Sequence, residues 1–278
     1  METVVAGIGN LENLDSDGSG GFYVTGIIDG YLAHIGADGA VDKLVTGLDH
    51  PAGVRTVGDW VYFLTGDGFD AGPGTLQRYD VLTGEVHTLL TGLNGPNGLL
   101  ELPDGDLLFT TTGVNGPPTG ISRYRPSTGE YTVTWSWLPL ANGIALAPGG
   151  EAVFADNLAL QIFRIPLDAP NSPSIVTGVP RILAIFDDME VTRAGTLFVA
   201  DHLTGSVFQV DTASGAACTV IAGLIKDRAA RSLPDGATSV RIAPHGNGWA
   251  LFVTSMDGAL RRLVPPSGFD LTPADSRP

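Results

Sequence analysis

The chain has 278 residues, 43% of them hydrophobic and only 16% charged, with 38 Gly and 19 Pro. This profile excludes a coiled coil and fits one all-β domain of many short strands joined by tight turns. Thirty acidic residues against fifteen basic ones leave a net charge of −15, which excludes nucleic acid as a partner, since phosphate backbones need clustered Lys and Arg.

Taken in chain order, the opening "METVVAGIGNLENL" carries no basic segment followed by an apolar one, so a cytoplasmic location is expected. No apolar run is long enough to span a bilayer, and no membrane partner is expected. A unit then recurs, each copy placing a Gly-rich turn between two apolar strands. The copies begin near "LENLDSDGSGGFYVTG", "PAGVRTVGDWVYFLTG", "PNGLLELPDGDLLFTTTG", "ANGIALAPGGEAVFADN", "FDDMEVTRAGTLFVADH" and "ATSVRIAPHGNGWALFVTS". Third strands read "GYLAHI", "GTLQRYD", "GISRYR", "LQIFRI", "GSVFQVD" and "GALRRLV"; fourth strands include "VDKLVTGL", "VHTLLTGL" and "CTVIAGL". Six units of four strands, roughly 46 residues each, predict a six-bladed β-propeller over residues 1–264. The early "TVVAG" is expected to pair into the last blade, because closure removes exposed edges. Residues 265–278 read as a flexible tail. The single cysteine, Cys218, rules out an internal disulfide and a Cys-based zinc site; in its apolar strand it reads as a buried small hydrophobe.

In such a blade, the start of the first strand, the end of the second and the loop after it share one face. Glu12, Ala52, Asn97, Asn142, Asp187 and Thr238 fall at the start of strand one; Asn97, Asn142 and Asp187 are spaced 45 residues apart. Fourteen residues further on, Thr111, Asp156 and Asp201 end the second strands. Any one of these polar residues alone would read as a strand cap. Around a closed ring, however, Glu12, Asn97, Asn142 and Asp187 would meet near the axis. Two carboxylates brought together there repel and lose solvation, a conflict that a hard divalent cation removes by taking carboxylate and amide oxygens. The glycine-rich "GDGFDAGPG" is no phosphate loop, having no helix after it; with "GVNGPPTG" it reads as a loop overhanging the mouth. Of the five histidines, His202 beside Asp201 and His50 near Ala52 lie on the ligand face, whereas His34, His87 and His245 read as structural.

These segments resemble the senescence-marker-protein/gluconolactonase family of the calcium-dependent phosphotriesterase (paraoxonase-like) superfamily, over nearly the whole chain. The fifth-blade "FDDMEVTRAGTLFVADHLTGSVFQVD" carries the strongest likeness and "ANGIALAPGGEAVFADN" the next. The resemblance implies one bound divalent cation, Ca²⁺ ahead of Mg²⁺, Mn²⁺ or Zn²⁺, held by Glu12, Asn97, Asn142 and Asp187. It also implies a lactonase- or esterase-type hydrolase. Asp187 would serve as base or nucleophile, Asp156, Asp201 or His202 would handle protons, and Thr111, His202, Asp188 and His50 would contact substrate. This chain departs from the family pattern at "ENL" in place of "EGP", at the arginine missing from "NGPNG", and at Gly98 where an Asp often stands. A small, fairly apolar substrate is therefore expected in place of a sugar lactone. Cyclisation or isomerisation of a natural-product intermediate on the same site is the second reading, and a non-catalytic interaction scaffold the third. The sequence leaves the oligomeric state open.

Overall fold

The computed structural model describes residues 1–178, 184–230 and 235–274. These fold as an all-β protein whose six four-stranded antiparallel sheets are the blades of a six-bladed β-propeller. Strand β1 is Glu2–Val5. Blade one comprises β2 Leu11–Ser16, β3 Phe22–Gly26, β4 Tyr31–Ile35 and β5 Val41–Thr46. Blade two is β6 Val54–Val57, β7 Trp60–Thr65, β8 Gly74–Asp80 and β9 Val86–Leu93. Blade three is β10 Pro96–Glu101, β11 Leu107–Thr111, β12 Gly120–Arg125 and β13 Glu130–Ser136. Blade four is β14 Ala141–Leu146, β15 Ala152–Asn157, β16 Gln161–Pro166 and β17 Ser174–Gly178. Blade five is β18 Phe186–Val191, β19 Thr196–Asp201, β20 Ser206–Asp211 and β21 Ala217–Ile221. Blade six is β22 Ala237–His245, β23 Gly248–Ser255 and β24 Ala259–Leu263, and its fourth strand is β1, paired antiparallel to β24. The first and last strands of the chain thus share a sheet, which removes one exposed edge.

Burial follows strand order. In blade three β10 and β11 are buried almost throughout, β12 mixes buried and half-buried residues, and β13 is the most exposed of the four. Continuous apolar runs such as "LLFTT" suit a strand covered on both faces, and alternation suits a half-covered one. The tight turn between β10 and β11 closes through Leu102 N–H to Asp106 O at 2.8 Å, with Gly105 at φ +83°, a conformation that glycine adopts without a Cβ penalty.

The chain divides into two compact units, Glu12–Gly143 and Met1–Leu11 with Ile144–Pro278. In the first, Tyr23 and Leu32 of blade one pack on Val54, Val61 and Phe63 of blade two, and Leu64 and Leu76 pack on Leu99 and Phe109 of blade three. In the second, Phe154 and Ile162 meet Phe186, Met189 and Phe208, while Phe198 and Val207 meet Val240, Leu251 and Val253. Each core is a face-to-face seam between neighbouring sheets, as in sheet-on-sheet packing generally.

Two sequence expectations change. Residues 265–274 are docked, not flexible: Leu271 is buried in the seam of blades five and six, and the Phe269 ring lies 6.4 Å from that of Phe198. Arg193 N–H donates to Thr272 O at 2.7 Å and Ala274 N–H to Val191 O at 2.9 Å. Residues 275–278 lie outside the described residues. Cys218 is exposed, because it sits on β21, the fourth and least covered strand of its blade.

Candidate functional site

In the unit Glu12–Gly143, Glu12, Ala52, Asn97 and Asn142 occupy equivalent places at or just before the first strand of their blades, and all four are buried. Hydrogen bonds run from each place to the next. Asn13 N–H donates to Thr25 Oγ1 at 3.1 Å, and the Thr25 hydroxyl donates to Ala52 O at 2.7 Å. Gly53 N–H donates to Asn97 O at 2.8 Å. Gly98 N–H donates to Thr110 Oγ1 at 2.8 Å, and the Thr110 hydroxyl donates to Asn142 O. A threonine hydroxyl accepts and donates at once, so Thr25 and Thr110 act as relays between blades. Blade three adds a bulge: Pro96 pairs with Thr111 but Leu99 with Phe109, so Asn97 and Gly98 together face Thr110. Bulges redirect side chains and recur beside active sites.

The Asn97 side chain has one defined orientation. Its Nδ2 donates to Asp67 Oδ2 at 2.8 Å. A carboxylate only accepts, so the amide nitrogen must face Asp67 and the amide oxygen must point elsewhere. No described residue donates to that oxygen. Asp67 stands in the 66–73 loop, which is braced on several sides. Gly66 N–H donates to Asp49 O, Gly72 N–H to Asp49 Oδ2, and Asn115 Nδ2 to Gly66 O at 3.0 Å and Gly72 O at 3.1 Å. His50, at φ +42°, bonds Asp49 Oδ1 through Nδ1 at 2.7 Å and lies 3.4 Å from Asp70 Oδ1. That His50 bond, then the Gly72 N–H, holds the Asp49 carboxyl below its usual pKa. His50 is thus a prop for the loop. Thr111 faces its own blade, donating to Gly120 O at 3.0 Å and accepting from Thr119 N–H at 2.9 Å.

In the other unit, the same bulge recurs in blade five: Phe186 pairs with Asp201 but Met189 with Val199, so Asp187 and Asp188 together face Ala200. Buried Asp187 has its Oδ2 3.2 Å from His202 Nδ1. His202 is fixed by its own backbone, donating to Ile185 O and accepting from Gly236 N–H, both at 2.8 Å. Asp188 turns the other way. Its Oδ2 accepts from Ser239 Oγ at 2.6 Å and lies 3.5 Å from Arg241 Nη2, while Arg241 Nη1 donates to Glu190 Oε2 at 2.6 Å. All four side chains are buried. The first strands of blades five and six are therefore joined by an acid–guanidinium network, which gives Asp188 a structural partner. Asp201 is occupied as well: Oδ1 accepts from Ile185 N–H and Leu203 N–H at 3.0 Å each, and Oδ2 accepts from the Thr204 hydroxyl. Its carboxylate organises the turn after β19 and is spent on it. Asp156 is fully buried on β15 opposite Ile162. Among the described residues no three His, Cys, Asp or Glu side chains gather as a metal site, so a cation here would depend on asparagine oxygens, which suits hard ions.

Thr111 and Asp201, fourteen residues past their strand starts, are bonded within their own blades. The residues one place later are Asp67, Thr112, Asn157 and His202, themselves 45 residues apart. Two of these reach the strand-start residues, Asp67 to Asn97 and His202 to Asp187. The bulge at Asn97 is in blade three, so the pairing of Asn97 with Asp67 of blade two is one that spacing alone does not show. The recurrence of polar residues at this second 45-residue spacing was the available signal. Arg241 and Ser239 were missed because nothing in "TSVRIAPHG" distinguishes a buried strand arginine from an exposed one.

No family model and no curated protein sequence matches this chain. Solved structures do match. A gluconolactonase from Xanthomonas campestris aligns with TM-score 0.75 and 18% identity, over 95% of this chain and 88% of its own. Another protein described as a gluconolactonase aligns with TM-score 0.71 and 15% identity, over 94% and 91%. Regucalcin, a calcium-binding protein from Agrobacterium tumefaciens, gives 0.69 and 16%, over 91% and 84%. At such identities the likeness establishes the propeller fold. Among the described residues no helix is long and apolar enough to cross a membrane.

Proposed function

We propose that this protein is a divalent-cation-dependent hydrolase of the lactonase or esterase type, with Ca²⁺ as the favoured ion. Glu12, Asn97, Asn142 and Asp187, which share one repeat position, would be its ligands. The observation that carries this reading is the Asn97 amide. Asp67 holds its nitrogen, which turns the amide oxygen of this largely buried residue toward some other electropositive partner. Acid and amide oxygens in this mixture fit a hard cation. Its neighbours in fold are named as gluconolactonases and as a calcium-binding protein, which supports both halves of the reading.

Bound there, the cation would polarise a substrate carbonyl and stabilise the charge that develops on its oxygen. The chain's own contribution is proton transfer. His202 Nδ1 lies 3.2 Å from Asp187 Oδ2, so a proton held on Nδ1 would leave Nε2 as the basic nitrogen. Nε2 takes a proton from the water that attacks the carbonyl carbon. The same proton then passes to the departing alkoxide oxygen as the acyl C–O bond breaks. Asp187 thereby orients the imidazole and stabilises its charged form.

Calcium titration calorimetry on the chelator-treated protein, paired with hydrolysis of γ-lactones, tests the proposal. Asn142→Ala and Asp187→Asn should each weaken calcium binding at least tenfold, the order expected for losing a ligand or its support. Ala52→Ser, at the equivalent place in blade two, should change nothing. His202→Gln should retain calcium and lose turnover. Full calcium binding by Asn142→Ala and Asp187→Asn would refute the assignment.

A further inference from the structure

Buried edges of blades usually end in polar loops, yet this chain places apolar side chains in the open in loops at the edge where Asn97 and Asn142 begin their strands. Phe69 is 86% exposed, Ile28 61%, Trp137 53% and Leu140 41%. Phe69 and Trp137 are the only exposed aromatic residues among the described ones. All four lie in loops at the edge where the first strands of their blades begin: 27–30 after β3, 66–73 after β7, and 137–140 leading into β14. The other exposed apolar residues mostly sit elsewhere, on fourth strands (Val41, Val86, Val133, Ile175, Val220) or in the opposite turn (Leu82).

The exposure is built in. Phe69 is two residues from Asp67, the partner of Asn97, in a loop held by Asp49, His50 and Asn115. A Cβ at Gly68 would come within 2.9 Å of the His50 ring. Trp137 is presented between buried Ser136 and Leu138. A Cβ at Gly120 would come within 2.5 Å of Ser136 O and 3.3 Å of Trp137 Cα, so that glycine is what lets the segment sit flat. Leu140, two residues before Asn142, takes φ +59°, an unfavourable conformation for a branched side chain that clusters at functional sites.

We infer that Phe69, Trp137, Leu140 and Ile28 form a specificity rim that receives an alkyl, acyl or aryl substituent on the substrate; the inference rests on the reaction class proposed above. The neighbouring acids Asp49, Asp67 and Asp70 oppose an anionic lipid surface, which draws basic segments. Four part-exposed side chains supply roughly 500 Å², well under the ~800 Å² per partner of a stable protein interface. A substrate chain leading away from the carbonyl needs no more than that.

The test is hydrolysis of a γ-lactone series, from unsubstituted γ-butyrolactone to γ-dodecalactone, with calcium present. The wild type should show KM falling with alkyl length. In Phe69→Ser/Trp137→Ser that dependence should flatten, with KM for γ-dodecalactone rising about tenfold more than KM for γ-butyrolactone, the scale of lost apolar contacts in a pocket. Leu82→Ser, on the opposite turn, should keep the wild-type profile. Equal losses across the series, or a wild-type KM indifferent to length, would overturn the rim. So would an unchanged profile in a double variant that has lost binding to phosphatidylcholine vesicles. Calorimetry with a γ-octyl-substituted γ-lactam, which keeps the ring and resists hydrolysis, separates the two proposals. Lactam binding that the double variant loses, with no lactone turnover in any protein, would refute the hydrolase and support the rim. No lactam binding to wild type would refute the rim by itself.

Discussion

Thr110→Val is the most direct test of how the strand-start residues are held in place. Thr110 is fully buried, accepts from Gly98 N–H at 2.8 Å and donates to Asn142 O. Valine keeps the branched shape and the strand propensity while removing both bonds, so packing is nearly constant and the loss is polar. One buried N–H and one buried C=O are then left without their partner, each costing about 1–3 kcal/mol. The carbonyl keeps a second lone pair for other donors, so the sum should fall near 2–4 kcal/mol. Urea unfolding followed by far-UV circular dichroism, with chelator present so that no ion contributes, measures it. Thr110→Ser restores the hydroxyl and should recover more than half of the loss. In calcium titrations Thr110→Val should also weaken binding, since Gly98 follows Asn97 and the lost acceptor is the backbone of Asn142. A destabilisation under about 0.5 kcal/mol, the scale of an ordinary surface change, would show that the relay does not hold the blades together.

Three further outcomes follow from the same structure. Arg241→Met leaves Asp188 and Glu190 buried without their guanidinium, and should destabilise by about 3–5 kcal/mol in urea melts; Arg241→Lys, a single-point donor, should recover only part. Gly53→Ala places a Cβ 2.3 Å from Asn97 O and 2.9 Å from Leu99 Cβ, and should cost about 1–3 kcal/mol by pushing β6 off β10, with a lower melting temperature as the readout. Burial, and then Asp29, push the Tyr31 phenol from its ordinary value of 10.0 up to about 12. The folded state thus favours the neutral phenol, and this contribution is complete below pH 10 and lost as pH rises from 10 through about 12. Melts across that range should fall less steeply in Tyr31→Phe than in wild type.

The sequence by itself determined the architecture. Strand length, the alternation of "GISRYR" and the 45-residue recurrence of Asn97, Asn142 and Asp187 are local or periodic properties, and a propeller follows because each unit has apolar faces that only a neighbouring unit can cover. The residues with candidate chemistry at the strand starts were legible for the same reason. Their partners were not. Whether Asp201 meets solvent or a turn depends on where Ile185 and Thr204 lie, and the turn takes it. Asp188 faces Ser239 and Arg241 across 51 and 53 residues of chain. Asp67 reaches Asn97 because a one-residue bulge swings the strand start away from plain alternation. The tail's place in the seam of blades five and six likewise depends on an apolar surface that exists only once those sheets have formed. Repeats encode position along the chain; hydrogen-bond partners distant in sequence, and one-residue shifts in register, belong to the folded chain alone.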